Sequence, residues 1–409
     1  MPGKAGPLTG RTFRSQKYDL AVDTITERDI ERLIVWLRKY PRLTMADETQ
    51  RFEDMRSRWL CVKYSVMCNS GSSANLLMYA ALDSTGRSGK RRVIVPATGW
   101  ATTITPVIQL SWRPFMCETD ERTYGPDIES LEKLLKRTRP ETVVVVHVLG
   151  VPSDMTAILG LQRKYGFQIL EDCCASHGAR HKGRLVGTFG AMSSFSFYYG
   201  HHMSTIEGGM VSTNDEKLYL HLLMLRSHGW LRELPEAESA RLMRKYKVDP
   251  FHFPFTFAIA GYNLRPTDVG AKIGQFQLSR LSATVARRAA NHRRIQEHLE
   301  GTFEFARGLP GDVISSNSFC AVARTVEEKK KVVRALARNM IDTRIFTAGN
   351  LGRHPFWTTR YGVFSAPTAD KLYERGFFLP NNQSLGRKDI DHICRVALDA
   401  AGARETDSR

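Results

Sequence analysis

The sequence predicts an α/β protein: a mainly parallel central sheet covered by helices on both faces, followed by a smaller α+β domain. Three observations carry this. From Cys68 onward, short apolar runs alternate with segments of helical period. The strand-like runs, 142–148 above all, are continuously apolar rather than alternating, as strands buried on both faces must be. And 409 residues with 42% hydrophobic and 25% charged side chains can bury a large core and divide into two domains.

The elements follow in order. Residues 1–24 read as a flexible, polar arm. Helix-like apolar spacing runs over 25–40, and a second helix is predicted over 72–83. Then come a strand at 91–96, a helix at 127–138 with Ile128, Leu131, Leu134 and Leu135 on one face, and a strand at 142–148. A helix at 155–165, a strand at 167–171 and strands near 192–197 and 208–213 complete the large domain, expected over 25–280. After Pro266 a long helical stretch reaches about Leu299 and leads into the smaller domain, expected over 281–409. There is no internal repeat and no low-complexity linker.

Composition narrows the function classes. The chain has no run of about 18 apolar residues, so no membrane span is expected. Its opening residues lack the apolar stretch of a secretory leader. Seven cysteines without a pairing pattern fit a reducing cytoplasm. The net charge of +17 is spread over helical stretches such as Arg287-Arg288…Arg293-Arg294 and Lys329-Lys-Lys331. With no dense tail or binding module, a specific nucleic-acid partner is not expected; such a surface steers phosphate-bearing substrates inward.

Four segments have the residue types of a phosphate- and ring-binding site. Asn69-Ser-Gly-Ser72-Ser73 is a glycine turn opening into an apolar helix. Its small residues let a phosphate approach, its amides and dipole favour negative charge, and the two hydroxyls add donors. An ordinary serine N-cap is the plain alternative. The run Phe167-Gln-Ile-Leu-Glu171-Asp172 ends in carboxylates, and ligands of open α/β sheets bind beyond such strand ends. For Asp172 alone, a structural cap is the competing reading. Trp100 follows the strand at 91–96 and is either a stacking platform or plain core. The fourth segment, Phe195-Ser196-Phe-Tyr-Tyr-Gly-His201-His202-Met-Ser-Thr-Ile-Glu-Gly-Gly209, puts a histidine 29 residues after Asp172.

That last segment resembles the cofactor-lysine segment of the pyridoxal-phosphate sugar aminotransferases of the DegT/DnrJ/EryC family. In the family an aromatic-Ser-aromatic-x-x-x-Lys string reaches a Gly-Gly pair eight residues beyond the lysine. Here the lysine position is His201, and no lysine occurs from Gly183 to Glu216. An imidazole cannot form a Schiff base, but it moves protons near neutral pH. The resemblance implies the aspartate-aminotransferase-like fold (type I) and pyridoxal 5'-phosphate or pyridoxamine 5'-phosphate as cofactor. It implies phosphate contacts from Ser72 and Ser73, a cofactor contact from Ser196, ring stacking by Trp100, and a partner for the ring nitrogen in Asp172. Gly261-Tyr-Asn263-Leu-Arg265 matches a family turn whose asparagine reaches the neighbouring subunit's phosphate, which implies a homodimer with shared active sites.

The histidine string is similar to the lysine-lacking nucleotide-sugar 3-dehydratases, of the kind acting on GDP-4-keto-6-deoxymannose. That subgroup implies C3 dehydration of a nucleotide-linked 4-keto-6-deoxyhexose, glutamate as amino donor, a role for His201 as acid/base, and a place in deoxysugar and lipopolysaccharide O-antigen synthesis. His228, Arg265, Arg344 and Asn350 match positions near the substrate. Ala175 departs from the glutamine that many relatives carry near the cofactor. A second kind of 3-dehydratase holds a [2Fe–2S] cluster and needs a reductase. Its thiolates must converge, and here no C-x-x-C occurs, so neither cluster nor reductase is expected. Two other readings stay open: an aminotransferase making a 4-amino sugar, and a non-catalytic family member.

Overall fold

The computed structural model describes residues 18–402. Seven strands form the central sheet: β1 (Tyr64–Cys68), β2 (Arg92–Pro96), β3 (Arg113–Cys117), β4 (Thr142–Val146), β5 (Gln168–Asp172), β8 (Met192–Ser196) and β9 (Gly209–Thr213). A two-residue hairpin, β6 (Arg180–His181) with β7 (Arg184–Leu185), interrupts this series. The spatial order is β1-β9-β8-β5-β4-β2-β3. Only β9 runs antiparallel to its neighbours, β1 and β8; every other pairing is parallel. The mixed α/β architecture with a mostly parallel sheet is therefore the one the sequence predicts.

Burial explains the continuous apolar runs. Val93, Ile94 and Val95 of β2 and Val143, Val144 and Val145 of β4 are all buried, because helices cover both faces. One covering helix, Ile128–Thr138, starts where the Asp127 side chain accepts from the Ser130 amide. Its Leu131, Leu134 and Leu135 point inward, and the left-handed Arg139 ends it.

Two differences from the sequence reading have clear causes. The helical stretch after Pro266 is two helices, Asp268–Leu278 and Leu281–Leu299. The break at Ser279-Arg280 is fixed from outside the local sequence: the Arg280 guanidinium bonds Asp29 and the Thr24 carbonyl. Helices Asp47–Leu60 and Ala101–Gln109 and the edge strands β1 and β3 were not read from the sequence. The helix after Trp100 contains Pro106, a residue that ordinarily argues against helix.

The C-terminal part pairs β10 (Ser318–Val322) with β11 (Gly376–Pro380), antiparallel. Helices Leu281–Leu299, Val326–Arg338 and Arg387–Ala401 pack on them through Ile295, Phe319, Leu336, Phe377 and Ile393. Of the arm expected over 1–24, residues 1–17 lie outside the described residues. Tyr18 belongs to the C-terminal apolar cluster, and its amide donates to the Met340 carbonyl. Among the described residues no helix is long and apolar enough to cross a membrane.

Candidate active site

The strand period of two sorts the paired carboxylates at the end of β5. Glu171 faces one side, where its oxygens accept the backbone amides of Gly187, Phe189 and Gly190 and contact His147. Glu171 is therefore structural. Asp172 faces the other side, toward two helix starts. Its Oδ2 accepts from Asn75 (3.0 Å) and Thr103 (2.6 Å), and its Oδ1 accepts the Cys174 amide at 3.0 Å. A carboxylate oxygen accepts about two hydrogen bonds, so Oδ1 retains acceptor capacity. Asn75 and Thr103 were not singled out in the sequence; they hold Asp172 in place.

The glycine turn stands beside Asp172. Helix Gly71–Ser84 is capped by Ser70, whose Oγ accepts the Ser73 amide at 3.1 Å. The serine cap is thus real, but it is Ser70. The first-turn amides of Gly71 and Ser72 have no acceptor within the helix, and the helix dipole adds to their pull on an anion. Ser72 exchanges a hydrogen bond with Thr102 at 2.8 Å, joining this turn to the helix that follows Trp100. An ideal Cβ at Gly71 would lie 2.5 Å from the Ser196 Cβ. One at Gly209 would fall 2.1 Å from the Ser70 carbonyl oxygen. These glycines let three segments converge: the start of helix Gly71–Ser84, the end of β8 and the start of β9.

His201 lies in the irregular loop after β8. Its amide donates to the Tyr198 carbonyl, and its own carbonyl accepts from Arg288 at 3.3 Å. Burial pushes its imidazole down to about 4, Arg288 and Arg344 push the same way, and Asp172 opposes them. The imidazole is therefore neutral around pH 7. Its Nδ1 is buried without a hydrogen-bond partner among the described residues. The adjacent His202 differs: its Nε2 lies 3.0 Å from the Ser315 carbonyl oxygen and 2.9 Å from that serine's hydroxyl. Of the two neighbouring histidines, it is His201 whose ring the Asp172 and Arg344 charges reach.

Exposed side chains surround this centre. Trp100, at the head of helix Ala101–Gln109, is 54% exposed, so it is not plain core. Tyr198 is also exposed, its ring 6.3 Å from that of His201. The segment carrying Arg344 and Asn350 docks alongside, with the Leu351 amide donating to Ala97. Arg344 is exposed and its charge reaches His201. Asn350 is buried, and its amide donates to Phe364 and Asp370 while its oxygen accepts from Gly352. That side chain is engaged in holding its own turn.

His228, Asn263 and Arg265 form a neighbouring patch. The Ser227–Asn263 bridge sets the two chain segments side by side, and the His228 amide donates to Tyr262. Arg265 Nε donates to Asn263 Oδ1 at 3.2 Å, and the His228 ring packs 4.6 Å from Trp230. Asn263 is exposed. The patch connects to the phosphate turn through the Asn69 amide and the Leu264 carbonyl.

A profile of the DegT/DnrJ/EryC1/StrS aminotransferase family matches residues 24–397, nearly the whole chain. The chain belongs to this family. It is similar to the GDP-4-keto-6-deoxy-D-mannose 3-dehydratase of Yersinia pseudotuberculosis, 39% identical over 251 residues, 61% of this chain and 63% of that protein. That match spans less than two thirds of the Yersinia protein. The enzyme of the same name from Escherichia coli O55:H7 is 36% identical over 370 residues, covering 86% of this chain and 92% of that one. A solved structure of GDP-4-keto-6-deoxymannose-3-dehydratase, with a trapped PLP–glutamate geminal diamine, superimposes with a TM-score of 0.82 at 28% identity, covering 93% of this chain and all of the other.

Proposed function

We propose that this chain is a nucleotide-sugar 3-dehydratase that removes the C3 hydroxyl of a nucleotide-linked 4-keto-6-deoxyhexose with the help of pyridoxal or pyridoxamine phosphate. The observation that carries the reading is His201 at the family's lysine position, neutral, with an unpartnered Nδ1 and within electrostatic reach of Asp172. The named relatives, two 3-dehydratases and a structure holding PLP and glutamate, support the same reaction class.

The residues present fit the cofactor. Free first-turn amides at Gly71 and Ser72, with the hydroxyls of Ser72, Ser73 and Ser196, suit its phosphate. Asp172 has acceptor capacity at Oδ1 for a protonated ring nitrogen, and Trp100 offers an exposed face for stacking. When bound, the group supplies an amine for the sugar's C4 carbon and an electron-accepting ring. Asp172 would hold a positive charge at the ring nitrogen. His201, neutral and untethered, takes up a proton on its imidazole and returns it to the departing C3 oxygen. Arg344 is exposed and its charge reaches His201, which suits it to a substrate phosphate or hydroxyl.

The shared-site homodimer is part of the proposal. Asn263, with Arg265 and His228, stands on an exposed patch suited to a second subunit's phosphate site. Helix Glu27–Leu37 exposes Ile30, Ile34 and Val35, an apolar surface that a partner would cover. Seven unpaired cysteines support a reducing cytoplasm as its location.

The test is product analysis with glutamate, the cofactor and GDP-, CDP- and TDP-linked 4-keto-6-deoxyhexoses, without reductase or NADH. One ammonia and one 2-oxoglutarate should form per 3-deoxy-4-keto sugar, unaffected by anaerobic handling. A product with nitrogen at C4 and its C3 oxygen intact would replace this reading by the aminotransferase one. A strict requirement for an electron-transfer partner would also refute it.

A further inference from the structure

Arg287 and Arg288 read alike in the sequence, yet helical geometry turns them about 100° apart. Arg287 is exposed, and Arg288 is 1% exposed. Among the described residues, the buried guanidinium has no carboxylate partner. Its Nη2 donates to the His201 carbonyl (3.3 Å) and Gln383 Oε1 (2.7 Å), its Nη1 donates to the Asn317 carbonyl (3.2 Å), and its Nε is unpartnered. The Asn381 side chain in turn donates to the Arg288 carbonyl at 3.1 Å. One side chain therefore ties the His201 loop to one end of the C-terminal sheet, where the start of β10 lies beside the end of β11. A buried, unneutralised cation is an expensive way to fill space, so packing alone does not account for it.

We propose that Arg288 is a positioning residue for the dehydration: its fork holds the His201 loop in register with the C-terminal domain. The inference rests on the acid/base reading of His201. The groups around that ring are Arg288 from helix Leu281–Leu299, Asp172 from β5, Arg344 from the segment before β11, Tyr198 from its own loop, and the buried His177 and His202. Arg288 is the nearest in effect, second only to burial, and Asp172 works against it. The 3.3 Å bond to the His201 carbonyl carries the fork's hold on the loop, and the Arg288 charge adds to burial in keeping the imidazole in its base form.

The experiment uses the holoenzyme with Arg288→Gln, Arg288→Lys and His201→Asn, reading kcat, KM and the His201 titration by histidine-selective NMR. The peak is assigned from its absence in His201→Asn. Arg288→Gln should lower kcat up to about 100-fold through misplacement and raise the His201 midpoint by about one pH unit. Arg288→Lys keeps the charge but loses the fork, so its midpoint should stay near wild type while kcat still falls. If Arg288→Gln yields no folded protein, Arg288→Lys decides: wild-type kcat there would overturn the fork. A midpoint that Arg288→Gln leaves unmoved would overturn the charge effect. His201→Asn separates the two readings: if it is inactive while both Arg288 variants behave as wild type, the role of Arg288 falls alone. If it is active, the His201 assignment falls.

Discussion

Gly71 and Ser196 meet so closely that a Cβ on the glycine would lie 2.5 Å from the serine's Cβ and 2.9 Å from its Oγ. The contact joins the start of helix Gly71–Ser84 to the end of β8, the two places that carry the proposed phosphate donors. Gly71→Ala must push them apart. Its affinity for pyridoxal phosphate should fall about tenfold or more, roughly 1.4 kcal/mol, with the fold retained. Absorbance titration and circular dichroism check this; unchanged affinity would remove Gly71 and Ser196 from the phosphate site.

His201→Asn should keep the cofactor and the subunit assembly, since neither Asp172 nor the glycine turn is altered. Dehydration should slow by about 10²–10⁴-fold, the usual loss with a general base. Activity within about threefold of wild type would show that another group moves the proton.

Because no lysine occupies the site, borohydride treatment followed by peptide mapping should find no pyridoxyl-lysine within residues 190–215. The flanking lysines in the sequence are Lys182 and Lys217. A stoichiometric adduct on any active-site lysine would contradict the untethered cofactor.

Acid should destabilise the fold early. Burial holds His201 down to about 4 and His292 to about 3, and puts His177 and His202 well below the ordinary value. A depressed imidazole contributes stability above its unfolded value of about 6.5, and that stability is lost as pH falls toward the folded value. Urea melts at pH 7.5, 6 and 5 should show the midpoint falling throughout this window. A flat profile would mean that these rings are protonated in the folded protein.

The sequence by itself determined the α/β class, the main helices and inner strands, and the chemical types gathered at the site. It could do so because continuous apolar runs, helical periods and glycine turns are local signals. Asp172, Ser72, Trp100 and His201 were legible for the same reason: each ends a strand or opens a loop or helix. Tertiary structure alone decided which of two adjacent residues faces the site. Glu171 bonds backbone amides and His202 bonds Ser315, while Asp172 keeps an open Oδ1 and its charge reaches the His201 ring. It also withdrew Asn350 into its own turn and buried Arg288 beneath the His201 loop. The helix break at Arg280 depends on Asp29, some 250 residues earlier in the chain. The physical reason is common to all these cases. Local sequence sets the period of an element, but the direction of one side chain within that period is fixed by partners the fold brings from far away.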